Sequence, residues 1–244
     1  MTADDAVAHK EEIAVTTSTD TLAVPHAFTG ESRTAGIDLY WLPLGAGGHS
    51  IRLNGKVFEW FAALFEHRNR RDLYHSALQV YLPEGRFVVE QAPAWGEGSQ
   101  RGVAAEGAVG VRSLGRFRLF RYEVRRWREG VIPDIAEAVE SPRRLSEEPE
   151  VAHRLLELVP EVPTPVWGRD ELGAGEMWNS NSTISWLVVQ CGLDVGSIPL
   201  PSGGRAPGWN AGIAIARRER AIAGARTVPA SKHRFPTADD GSTT

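Results

Sequence analysis

The sequence predicts an α+β fold, an antiparallel β-sheet packed with helices. Three observations carry this. The β-rich runs lie in one block before about residue 127 and the helical runs follow in another, which separates α+β from alternating α/β. Two tight-turn signals, Asn54-Gly55 and Pro83-Glu84-Gly85, each join neighbouring β-rich runs and imply hairpins. Of 244 residues, 42% are hydrophobic and 24% charged, enough apolar material for one sizeable core. The polar, Thr/Ser/Asp-rich ends are expected to be mobile tails at residues 1–33 and 225–244, flanking a single domain over residues 34–224.

Residues 37–44 (IDLYWLPL) form the first predicted strand, ending in Gly45-Ala46-Gly47-Gly48. Two short β-rich runs then flank Asn54-Gly55, whose φ > 0 preference suits a type I′ turn. Residues 60–68 (WFAALFEHR) place Phe61, Leu64 and Phe65 on one face of a short helix. Residues 74–82 (YHSALQVYL) are the clearest strand. Ser76, Leu78, Val80 and Leu82 take one face, and His75, Ala77, Gln79 and Tyr81 the other. Residues 86–91 return after the turn. The Gly-rich residues 94–109 predict a surface loop, and residues 110–127 one or two further strands.

The helical block starts with a short helix over residues 133–139, opened by Pro133. A second, capped by Ser146, extends to about Leu158. Pro160, Pro163 and Pro165 stop it. A third helix spans residues 179–191, closed by Gly192, and a fourth spans residues 210–223. Residues 202–209 read as a lid over a cleft or, more commonly for such a segment, as a linker to the last helix.

Several function classes are disfavoured. No run of ~20 apolar residues exists, so no membrane-spanning helix, and hence no membrane partner, is expected. The start of the chain is acidic rather than basic-then-apolar, which predicts a cytoplasmic protein. A single cysteine, Cys191, supports neither an internal disulfide nor a cysteine-based zinc site. No His/Asp/Glu spacing matches a metal site, and no cofactor is implied. Net charge is −4, which argues against a general nucleic-acid field. All but Lys10, Lys56 and Lys232 of the 27 basic residues are arginine, as in a GC-rich genome.

The run Asn179-Ser180-Asn181-Ser182 opens a helix in which Ile184, Leu187, Val188 and Cys191 form one apolar stripe and Trp186 and Val189 fill other faces. A helix apolar nearly all round belongs inside the protein. Its polar N-terminus offers backbone N–H groups and the positive end of a dipole, suited to an anion, a nucleophile or an oxyanion. Simple N-capping explains the same residues and is their commoner use.

The strand carrying His75 (YHSALQVYLPEGRFVVE), followed far downstream by the Asn-Ser-Asn-Ser helix start, resembles the circularly permuted papain-like proteins. These are the branch of the NlpC/P60 superfamily that includes the lecithin:retinol acyltransferase-like proteins. The Asn-Ser-Asn-Ser form also resembles an uncharacterised bacterial group of similar shape. The resemblance covers about residues 74–91 and 178–192. It implies a permuted papain-like fold and acyl transfer, or hydrolysis of an amide or ester, on a small-molecule or peptide-like substrate. His75 would be the base and Ser180 the nucleophile, with Asn179, Asn181 and Ser182 around the substrate. The third group is Glu90 or Gln91. An even turn around Glu84-Gly85 puts Glu90 on the His75 face and an odd one puts Gln91 there; the Glu-Gly pair favours Glu90. The family uses cysteine where this chain has Ser180, and a hydroxyl is far less nucleophilic than a thiolate. Cys191 lies about three turns further on, ~16 Å along the axis at 1.5 Å per residue, too far to substitute. Two readings follow: a serine hydrolase, or a non-catalytic binding or accessory protein that keeps only the cleft.

A third reading rests on Arg112, Arg116, Arg118, Arg121, Arg125, Arg126 and Arg128, interleaved with Phe117, Phe120, Tyr122 and Trp127. Such a pattern can bind single-stranded nucleic acid, but on a strand it is more often a solvated face. His49, after the glycines, matches no phosphate-loop pattern and reads as a structural histidine.

Overall fold

The structure, a computed structural model, describes residues 34–44, 73–94, 102–132 and 135–227. Both predicted tails up to residue 33 and beyond residue 227, His49 with its glycines, the Asn54-Gly55 hairpin and the helix at residues 60–68 lie outside the described residues.

The fold is α+β. Among the described residues, six strands form one antiparallel sheet: β1 (Gly36–Pro43), β2 (Tyr74–Leu82), β3 (Gly85–Pro93), β4 (Val103–Ala108), β5 (Arg121–Arg128) and β6 (Val139–Ser146). Their order is β4-β5-β3-β2-β1-β6. Three helices follow: α1 (Pro149–Leu158), α2 (Ser180–Gln190) and α3 (Trp209–Thr227). α3 continues past the expected domain boundary at residue 224. No helix among the described residues is long and apolar enough to cross a membrane.

α2 is buried from Ser180 to Val189, as its all-round apolar sequence requires. It packs against β2 and β3 on one side and α3 on another, with α1 beside it. The main core joins Leu39, Trp41, Leu78 and Val80 of the sheet to Ile184, Leu187 and Val188 of α2. The opposite sheet face carries a smaller cluster of Tyr40, Leu42, Ala77, Val88 and Ile132. The two faces follow from alternation along β1 and β2, where Trp41 pairs with Ser76 on one face and Leu42 with His75 on the other.

Four local expectations are corrected. The supposed loop at residues 94–109 contains β4, whose small residues carry little strand propensity and are held by pairing with β5. Within residues 110–127 only β5 is a strand, preceded by two 3₁₀ turns, Arg112–Arg116 and Arg118–Phe120. The helix expected at residues 133–139 reduces to one 3₁₀ turn, Ile135–Glu137, before edge strand β6, where Pro142 is tolerated because one side needs no ladder bond. Ser146 ends β6 rather than capping α1, and its hydroxyl accepts from the Glu148 amide at 3.1 Å. Glu148 is the N-cap of α1 and Pro149 its first residue.

Gly212 sets the approach of α3 to α2. A Cβ there would lie 2.0 Å from the Ser182 carbonyl oxygen and 2.2 Å from Ser185 Oγ. Gly212→Ala is expected to destabilise the fold by about 3 kcal/mol, because helix backbone rather than a flexible tip must move. Gly224→Ala, where an added Cβ meets nothing within 4 Å, is expected to stabilise by about 0.5 kcal/mol through helix propensity. Urea titration of both variants checks the contrast.

Candidate functional site

The polar start of α2 is built as a capping box. Asn179 is the N-cap; its side-chain oxygen accepts from the backbone N–H groups of Asn181 at 2.9 Å and Ser182 at 3.3 Å. Ser182 Oγ in turn accepts from the Asn179 amide at 3.1 Å. The Asn181 and Ser182 N–H groups, which an oxyanion hole could have used, are thus taken by the helix's own cap.

The remaining polar groups join α2 to the rest of the fold. Ser76 of β2 donates to Asn181 Oδ1 at 2.9 Å. Asn181 Nδ2 donates to the carbonyls of Tyr74 and Pro207, both at 2.9 Å. Asn179 Nδ2 also donates to Pro207 at 2.8 Å, and Ser182 Oγ donates to Gly208 at 2.7 Å. Thr183 donates to Gln91. Residues 205–209 therefore lie across the helix start, and Tyr74 N–H bonds the Arg205 carbonyl at 2.9 Å. Gly208 is required at this crossing. Its φ is +83°, and a Cβ would come within 2.6 Å of Asn179 Oδ1 and 2.7 Å of Ser182 Oγ. The segment expected to be a lid or a linker is a fixed strap that also leads into α3.

The predicted residues divide between two sides of the sheet. Ser180, Asn179, Asn181 and Ser182 stand over the Ser76 face. The two-residue turn pairs Leu82 with Gly85, and this register puts Glu90 on the His75 face and Gln91 on the Ser76 face. His75 and Glu90 therefore share a face, but it is the face turned away from α2. The expected meeting of His75 with Ser180 is corrected by strand alternation: the residue of β2 that reaches the helix start is Ser76. Ser180 is buried, and its hydroxyl makes no hydrogen bond among the described residues. Burial pushes the Cys191 thiol up to about 12, so it is no alternative nucleophile.

The His75 face carries a charged cluster the sequence did not reveal. Arg125 pairs directly with Glu90 across β3 and β5. It donates to Glu90 at 3.2 Å, to Glu123 at 2.9 Å and to the Pro93 carbonyl at 3.2 Å. All three charged groups are buried. Burial raises the pKa of Glu90 and outweighs the opposing pull of Arg125. Beside the cluster, a depression of about 270 Å³ is lined by Val103, Glu106, Arg118, Arg121 and Glu123. A second, of about 250 Å³, sits near the C-terminus of α2, lined by residues including Asp194, Arg217 and Arg220, away from every predicted site residue.

The arginine run is largely consumed internally. Arg112 pairs with Glu171 and Arg121 with Glu106. Arg118, Arg126 and Arg128 donate to backbone carbonyls. No group of three or more His, Cys, Asp or Glu side chains able to hold a metal occurs among the described residues.

Ser76 was the missed signal. A lone hydroxyl on the face of Leu78, Val80 and Leu82 requires a buried partner, and Asn181 is that partner.

Asn181→Ala would leave the buried Ser76 hydroxyl without its acceptor and remove the side-chain donor to the Tyr74 carbonyl, and is expected to cost about 3 kcal/mol, whereas Ser180→Ala should stay within about 0.5 kcal/mol of wild type. Chemical denaturation separates them. Glu90 gives a pH test. Its folded pKa lies above 4.5, so the stability it contributes is full below that pH and is lost as pH rises through the raised value. The wild-type urea midpoint should therefore fall relative to that of Glu90→Gln as pH increases from 4.5 upward. The opposite slope would mean that Arg125, not burial, governs this carboxyl.

Compared with protein-family models, curated proteins and solved structures, the chain matches none.

Proposed function

We propose that this chain is a non-catalytic binding or accessory protein, on a scaffold that resembles the permuted papain-like fold without its chemistry. One observation carries the reading: the polar start of α2 is spent on capping and packing, while the imidazole that would activate Ser180 belongs to the other face of the sheet. A serine hydroxyl without a positioned base and free oxyanion donors is a poor nucleophile. The surface offered to a ligand is the depression beside the Glu90–Arg125–Glu123 cluster. It carries both signs of charge and suits a small polar or peptide-like group rather than a large apolar one.

A serine-directed fluorophosphonate is expected to leave the full-length protein unlabelled. A Ser180→Cys variant should show the same thiol titration midpoint with and without His75→Ala, because the imidazole acts elsewhere. Labelling that disappears in both Ser180→Ala and His75→Ala would overturn the reading and restore a serine hydrolase.

A further inference from the structure

We propose that the exposed segment formed by residues 111–120 is a docking surface for an anionic lipid bilayer. The observation is independent of the site above. Val111, Phe117, Leu119 and Phe120 are 43%, 49%, 48% and 37% exposed, and they make up four of the eight exposed large apolar side chains among the described residues. The two 3₁₀ turns of this segment bury none of their own side chains. Phe120 N–H bonds the Phe117 carbonyl at 2.9 Å, so the two residues are joined across a single 3₁₀ turn. Exposed apolar groups gathered in so short a segment mark an interaction surface rather than scattered surface residues.

The charges select the partner. From Val109 to Tyr122 the sequence contains four arginines and no carboxylate. Arg116 lies over the Phe117 ring at 4.7 Å and has no carboxylate partner among the described residues. Arg118 commits its Nε to the Ala94 carbonyl at 2.8 Å, which leaves its outer nitrogens to other acceptors. Arg112 pairs with Glu171, but its side chain is 72% exposed, and such pairs are weak and readily exchanged.

Area and side-chain chemistry favour a bilayer over the alternatives. Four side chains of up to ~200 Å², each about half exposed, present roughly 350 Å² of apolar surface, a small patch beside the ~800 Å² of polar and apolar surface that each partner of a stable protein interface buries. Two of the four exposed groups, Val111 and Leu119, have no ring to stack on a base, which favours a bilayer over single-stranded nucleic acid. A bilayer requires neither a large area nor a ring. Phe117, Leu119 and Phe120 enter the acyl boundary while the Arg116 and Arg118 guanidinium groups stay at the phosphate level. The sequence expectation of no membrane contact rested on the lack of a spanning segment, and an interfacial contact needs none.

The test is flotation of the full-length protein with vesicles of phosphatidylcholine alone and of phosphatidylcholine mixed with phosphatidylglycerol. Binding should require the anionic lipid, weaken with salt, and fall at least about tenfold in Phe117→Ser/Leu119→Ser, from the lost apolar burial, and in Arg116→Glu. Unchanged thermal melting of these surface variants would exclude unfolding as the cause. No flotation with either vesicle overturns the proposal, as does equal flotation with both. Retention of single-stranded RNA by the same arginines without lipid binding would assign the surface to nucleic acid instead. A dimer abolished by Phe117→Ser/Leu119→Ser, again without lipid binding, would assign it to a second copy of the chain.

Discussion

The fold is organised around one amide. Asn181, only 1% exposed, accepts from β2 and donates both to β2 and to the strap over the helix start. These bonds give the buried Ser76 hydroxyl its acceptor and tie the helix start, the strand and the strap to one another in a single arrangement. This is also why the start of α2 is a poor place for chemistry. A helix terminus acts on an anion or a nucleophile through N–H groups that have no other acceptor, and here the capping box takes those of Asn181 and Ser182 while the strap engages the cap side chains.

Much of the fold was legible because it rests on short-range rules. The alternation in β2 and the two-residue turn set the hairpin register, and Gly192 marked the end of α2. The elements that escaped depend on partners distant in sequence. β4 is a strand because β5 lies beside it, not because Val103-Ala104-Ala105-Glu106 prefers to be extended. β6 is hidden by Pro142, a residue that reads as a breaker unless the strand is known to be an edge.

The candidate site was half legible. The helix start and its residue types stood in the sequence, as did Glu90's sharing of a face with His75. Which face of β2 meets α2 was also there in principle: a helix apolar on every side must cover Leu78, Val80 and Leu82, not His75 and Gln79. Resemblance to a family with a histidine on that strand pointed the other way, and packing decided the matter. The Glu90–Arg125–Glu123 cluster was not legible, because it needs the β3–β5 pairing to bring residues 90 and 125 into register. Two carboxylates around one guanidinium out of water are not in themselves a source of stability, so their burial characterises the second sheet face more than it strengthens the fold.

The bonds from Asn181 to Ser76 and Tyr74 close loops of 105 and 107 residues. Contacts this distant form late, after the entropy of bringing the ends together has been met. During synthesis the sheet emerges from the ribosome well before α2 and the strap that cover its apolar face. Until then α1 alone covers part of the face that carries Leu78, Val80 and Leu82, and the nascent chain passes through a sticky half-built stage. Its yield in the cell depends on how quickly the last third of the chain follows the first.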